Sequence, residues 1–258
     1  MTTRSQEFAL KKTSNSRRPD YEKASGKTTR MDHWNLHCIR LKCMTKSVHR
    51  THPPNKHPTK KRINMEALFG IVGKDFVLTA SDRTSARSIV IMKHGEDKSR
   101  ELNKHTLMLY TGESGDTVQF AEYIQRNIQL YGIRNGIPLS VHATANFTRR
   151  ELAESLRSRN PYHVSVLIAG TDPKTGKPEL YWLDYLGAMV KMNFAAHGYA
   201  SYFCMSTMDR YWKEDLSVEE AISLLKKCIA ELKTRFIAQL PEFMVKVVDK
   251  DGVREIQL

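Results

Sequence analysis

Residues Met65–Ser88 read MEALFGIVGKDFVLTASDRTSARS. Two short apolar runs, Ala67 to Val72 and Phe76 to Ala80, flank Gly73-Lys74-Asp75. Runs rich in Leu, Phe, Ile and Val around a glycine-containing turn predict a tight β-hairpin. Ser81-Asp82-Arg83 then places a polar cluster at the end of the second strand. Residues 1–64 have a different composition, and 65–258 read as one globular domain.

Beyond the hairpin, Ile89–Met92 and Thr106–Thr111 read as strands, with a polar turn over His94-Gly95-Glu96-Asp97-Lys98 between them. From Asp116 the period becomes helical, with Phe120, Ile124, Ile128 and Tyr131 on one face, closed by Gly132 and then Gly136-Ile137-Pro138. A second helix starts between Ser140 and Thr148, where Thr148-Arg149-Arg150-Glu151 has the form of a capping box, and ends near Arg159. Val164–Gly170 is a nearly continuous apolar strand, predicted to be buried on both faces. Strands over Glu179–Asp184 and Ala188–Asn193 and a short helix over Gly198–Asp209 follow. Ser217-Val218-Glu219-Glu220 is another capping box, opening a helix whose apolar face carries Ala221, Leu224, Leu225, Cys228, Ile229, Leu232 and Phe236. Phe243–Val248 and Val253–Ile256 make a terminal hairpin. Strands, two helices, strands, two helices, then strands is not a strictly alternating parallel pattern. It predicts an α+β fold of two packed sheets with helices outside.

The net charge of +13 is unevenly placed. Residues 1–64 carry 16 Lys and Arg against 4 Asp and Glu, whereas 65–258 carry 25 against 24. The basic character therefore belongs to the N-terminal segment and is not a nucleic-acid footprint of the folded part. That segment, with few large aliphatic residues and the run His52-Pro53-Pro54-Asn55-Lys56-His57-Pro58, is predicted to be disordered. Its functional candidates are a polyanion-binding or nuclear-import patch at Lys60-Lys61-Arg62, a transit peptide, and a zinc knuckle from Cys38, Cys43, His49 and His52. The knuckle's spacer is much shorter than that of a ββα finger. Four cysteines and a domain long enough to form its own core predict a reducing, intracellular setting. No apolar run reaches the length of a membrane span, and no secretory signal is read at the N-terminus.

Four stretches carry a family resemblance: MEALFGIVGKDFVLTASDR, GESGDTVQFAEYIQRNIQLY (Gly112–Tyr131), ANFTRRELAESLRSRNPYHV (Ala145–Val164) and NFAAHGYASY (Asn193–Tyr202), with the step Met208-Asp209-Arg210-Tyr211. Over 65–258 the chain resembles the β subunits of the eukaryotic proteasome core particle, and within them the member at the fourth position of the β ring. The resemblance implies the four-layer αββα sandwich of N-terminal nucleophile hydrolases. It implies other β subunits in the same ring, α-ring subunits and the opposite β ring as partners, and a location in cytoplasm and nucleus; the apolar-run lengths predict no membrane partner, and the charge placement disfavours a nucleic-acid one. Members at this ring position begin at the equivalent of Met65, which makes 1–64 an extension.

Active members of that family use an N-terminal threonine as nucleophile and its own α-amine as base. Here no threonine occurs between Lys61 and Val77. Counting from Met65, the family's aspartate falls on Ser81 and its lysine on Asp97. Asp82 then reads as one position away, on the wrong strand face; Lys98 matches the family's lysine if one residue is inserted, and by straight counting reads as a solvated turn residue. The family's Gly-Ser-Gly corresponds to Gly198-Tyr199-Ala200, and its later aspartate and serine to Phe236 and Gln239. His142, His163 and His197 have no Cys or carboxylate neighbour at ligand spacing, Cys204 and Cys228 read as core, and Gly112-Glu113-Ser114-Gly115 lacks a phosphate-loop lysine. The sequence thus assigns no catalytic, cofactor-binding or metal-ligating residue and no cofactor, and predicts a structural, non-catalytic β-ring subunit. The alternatives are an amidohydrolase activated by cleavage at another internal residue, and nucleic-acid binding through the basic segment.

Overall fold

Alternation along the first strand sorts its side chains between two apolar layers. In β1 (Ala67–Val72), Ala67, Phe69 and Ile71 join one buried layer, while Leu68 joins another. The computed structural model describes residues 65–87 and 90–258. The zinc-knuckle candidates, Lys60-Lys61-Arg62 and the rest of 1–64 lie outside the described residues.

The same sorting recurs in β2 (Val77–Asp82), where Leu78 and Ala80 face the layer of Phe69, and Val77 the layer of Leu68. The remaining strands among the described residues are β3 (Ser85–Arg87), β4 (Val90–Lys93), β5 (Ser99–Asn103), β6 (Thr106–Gly112), β7 (Val164–Thr171), β8 (Pro178–Leu183), β9 (Met189–Lys191), β10 (Phe194–Gly198), β11 (Phe243–Asp249) and β12 (Gly252–Ile256). One five-stranded antiparallel sheet runs β10-β1-β2-β11-β12 and a second runs β5-β6-β7-β8-β9, with β3-β4 as a separate hairpin. Leu68, Val77, Leu107, Leu109, Leu167, Ala169, Leu180, Ala195 and Val248 form the apolar layer between the sheets.

Helices close the outer faces. Against the second sheet lie α1 (Ser114–Asn135), burying Phe120, Ala121, Ile124 and Ile128, and α2 (Val141–Ser155), burying Ala145 and Leu152. Against the first lie α3 (Tyr199–Tyr211), through Ala200, Cys204 and Met208, and α4 (Val218–Arg235), through Ala221, Leu224, Leu225, Cys228, Ile229 and Leu232. Three apolar layers among four structural layers make this the αββα sandwich.

Local chemistry sets the helix ends. At α4 both halves of the capping box form: Glu220 N–H donates to Ser217 Oγ at 3.3 Å, and Ser217 N–H to Glu220 Oε2 at 3.1 Å. The box expected at Thr148 does not exist. Thr148 lies inside α2 and its hydroxyl donates to Thr144 O at 2.9 Å, while Ser140 caps the helix by accepting from Ala143 N–H. In α1, Gly132 lies inside the helix and Gly136 ends it with φ 69°. Tyr131 is off the buried face, 42% exposed. Strands β3, β5 and β10 are not legible as apolar runs in the sequence, yet β10 pairs directly with β1.

His197 of β10 enters the inter-sheet layer. Its Nε2 lies 3.1 Å from Val166 O and its ring stacks on Trp182 at 4.9 Å. Burial pushes its pKa down to about 4, because the charged ring would be stripped of water. The unfolded chain takes up this proton near the ordinary value of 6.5, so the stability due to neutral His197 is complete above that pH and falls as pH drops toward 4. Urea unfolding is expected to show a loss of about 2 kcal/mol from this residue between pH 7 and pH 5. The His197→Asn variant, weaker at pH 7, loses less over the same interval.

Candidate functional site

The polar end of β2 meets the beginning of β1 because the two strands pair antiparallel, with Leu68 opposite Ser81. Asp82, fully buried, accepts from Ala67 N–H through Oδ1 at 2.9 Å. Its Oδ2 accepts from Lys98 Nζ at 2.7 Å and from Thr84 N–H at 3.3 Å. Lys98, 2% exposed, comes from the stretch just before β5 and also donates to Thr84 O at 2.8 Å. Burial pushes the Asp82 carboxyl up, and the Lys98 ammonium and the Ala67 amide draw it back down.

Glu66, the residue immediately before β1, completes the cluster. Its Oε1 lies 3.3 Å from Lys98 Nζ, and its Oε2 accepts from the Thr111 hydroxyl and, at 3.3 Å, from Gly112 N–H. Gly112 has φ 150°, and a Cβ there would lie 2.0 Å from His163 O, so only glycine lets β6 end in this way. On the other side, Tyr199 N–H donates to Glu66 O at 3.1 Å. The close approach needs Gly198, whose φ is +70° and whose Cβ would lie 2.0 Å from the same oxygen. Glu66 is thus held by backbone or side-chain donors from β6, from α3 and from Lys98.

This geometry corrects two expectations. Asp82 is not on a wrong face, and Lys98 is not a solvated turn residue; they form a buried ion pair aimed at the start of β1. The error was one of register. Counted from Glu66 instead of Met65, Asp82 and Lys98 fall sixteen and thirty-two residues along, the family intervals. The missed residues are Glu66, Thr111 and Gly112, and the register count from Glu66 was the signal for the first.

The neighbouring positions are apolar. Tyr199 and Phe236 stand where the resemblance expects serine and aspartate, and their rings meet at 4.8 Å, with Phe203 5.9 Å from Phe236. Phe236 is the C-cap of α4 and packs against the same core cluster as the helix's apolar face. The thiols of Cys204 and Cys228 are buried between α3 and α4, as expected for core residues, and the contact with Cys228, with burial second, pushes the Cys204 thiol up.

Among the described residues the histidines are not grouped, but one does meet carboxylates. His163 lies beside Glu113 and Asp116, their ligand atoms all within 4.8 Å of one another, which corrects the expectation of no acidic neighbour. Both acids begin α1, where negative charge complements the helix dipole, and His163 N–H donates to Asp116 Oδ2 at 3.1 Å. His142 instead bonds to the Tyr181 hydroxyl at 3.1 Å.

Chemically, the Asp82–Lys98 pair can hold a buried ammonium against whatever group occupies position 66. An ionised carboxylate there only accepts. It brings neither a hydroxyl nor a thiol.

Residues 65–248 match the family described as Proteasome subunit. The chain is 53% identical over 194 residues to a Schizosaccharomyces pombe protein named probable proteasome subunit beta type-4, covering 75% of this chain and all of that one. It is 51% identical over 191 residues to the Arabidopsis thaliana proteasome subunit beta type-2-B, covering 74% of this chain and 95% of that one. Against the Saccharomyces cerevisiae proteasome subunit beta type-4 the identity is 48% over 192 residues, with 74% and 97% covered. A sandwich of this kind with a polar cluster at the start of its first strand is the N-terminal nucleophile hydrolase fold. The chain belongs to the proteasome subunit family and is similar to its β subunits.

Removing Lys98 leaves the Asp82 charge buried without its partner. Lys98→Met is expected to lower stability by about 3–5 kcal/mol in denaturant unfolding, and adding Asp82→Asn is expected to return part of that loss.

Proposed function

We propose that this chain is a non-catalytic structural subunit of the β ring of the 20S proteasome core, at its fourth position. The observation that carries this reading is Glu66. The buried Asp82–Lys98 pair converges on the start of β1, and the residue there is an acceptor-only carboxylate engaged by Lys98, Thr111 and Gly112. Active relatives need a threonine hydroxyl and a free α-amine at that place. Tyr199 and Phe236, packed ring on ring beside it, supply none of the polar groups of the active pattern.

In this role the chain acts by geometry. It adds wall to the proteolytic chamber and buries large obligate interfaces with its neighbours in the ring, with the α ring and with the opposite β ring. A ring of different subunits closes only if each presents two unlike, matching sides. Degradation of ATP- and ubiquitin-directed substrates then falls to neighbouring threonine-protease subunits, in cytoplasm and nucleus.

A covalent threonine-directed probe applied to assembled core particles, followed by intact-mass measurement of each subunit, is expected to leave this chain unmodified while labelling its neighbours. A mass increase on this chain overturns the reading. Depletion of the chain is expected to lower the amount of assembled core, measured by native gel.

A further inference from the structure

We infer that the donors around Glu66 form a pocket built to receive a carboxylate, which the chain fills with its own side chain. The inference rests on local geometry and does not depend on whether the subunit is catalytic.

Three donors of different kinds converge there: the Lys98 ammonium, the Thr111 hydroxyl and the Gly112 backbone N–H. They divide between the two oxygens, Lys98 facing Oε1 and the other two facing Oε2. A carboxylate accepts at both oxygens and donates at neither, so it matches this set, and charge-assisted bonds strengthen the match. An amide of the same shape must turn its NH2 group toward either Lys98 or the Gly112 N–H beside Thr111, setting donor against donor.

The donors do not need Glu66 to stay in place. Lys98, whose side chain is 3% exposed, is fixed independently by Asp82 at 2.7 Å and Thr84 O at 2.8 Å. Gly112 and Thr111 are held within β6 by pairing with β7, opposite Val164 and Ser165. The Glu66 backbone is held separately through Tyr199 N–H. Truncating the side chain therefore leaves the receptor standing and opens a space the size of a carboxylate group. Small carboxylates, formate and acetate, are the ligand class it takes. In the native chain the pocket works as a latch, tying the segment that enters β1 of one sheet to the end of β6 in the other.

The experiment is chemical rescue in the full-length chain, read by thermal unfolding in sodium acetate or formate against sodium chloride at equal pH and ionic strength. At about 100 mM carboxylate, Glu66→Ala is expected to gain about 3–5 °C in Tm over its value in chloride, while the wild type gains nothing. Adding Thr111→Val to Glu66→Ala is expected to weaken that gain. Glu66→Gln keeps the side-chain volume, so it probes the pocket even where Glu66→Ala does not fold. It is expected to melt about 3–8 °C below the wild type and to ignore acetate. Equal responses of Glu66→Ala to carboxylate and chloride overturn the inference, as does a Glu66→Gln Tm equal to that of the wild type. A threonine-directed probe labelling this chain would overturn the functional reading and leave this one standing.

Discussion

Everything at the working end of the sandwich depends on the ammonium of Lys98 being buried beside Asp82. Moving two charges out of water costs several kcal/mol each, and that cost is offset only if the pair is close and its remaining hydrogen-bonding capacity is satisfied. Both conditions are met. Lys98 finds Asp82, the Thr84 carbonyl and Glu66, and Asp82 finds Lys98 and the amides of Ala67 and Thr84. These bonds pin the start of β1, the end of β2, the strand entering β5 and, through Glu66, the end of β6. Changing any one of the four segments disturbs the other three.

The rest of the molecule keeps charge away from its interior. The apolar cluster between the sheets is largely aliphatic, and His197, which enters it, is held neutral by burial while it bonds to Val166 O and stacks on Trp182. Where charges do bridge the two sheets they lie near the edge of that layer. Lys246 of β11 reaches Asp97 at 2.8 Å and Ser99 at 2.8 Å, and those bonds hold the Asp97 carboxyl below the usual range although burial acts against them. The sheets are thus clamped by polar contacts at their margins and packed on apolar side chains between.

Much of the fold was legible because its strongest signals are local. The β1–β2 hairpin, the unbroken apolar β7, the 3.6-residue period of α1 and the Ser217–Glu220 capping box each need only neighbours in sequence. What escaped was non-local. β10 contains Ala195-Ala196-His197-Gly198 and lacks a strand-like composition; it is a strand because β1 offers it an edge. Strand β5 reads Ser-Arg-Glu-Leu-Asn, with a single apolar residue and a register irregularity against β6 between Glu101 and Asn103, so no alternation marks it. The Thr148 box failed because a hydroxyl at that spacing serves a helix interior as well as a cap, and only the chain direction before it decides.

The sequence by itself determined two packed sheets with helices outside, through residue type and periodicity, and it carried the family resemblance that implied the αββα class and the residue type at position 66. Tertiary structure decided what Asp82, Lys98 and Glu66 do. A one-residue shift of origin moved two charged residues from a buried ion pair to a solvated turn on paper, because strand faces alternate at every residue. The intervals counted from Glu66 are compatible with that origin, and the pairing of β1 with β2 and the burial of Lys98 fix it. Burial and register are properties of the packed sheets, and no stretch of the chain carries them alone.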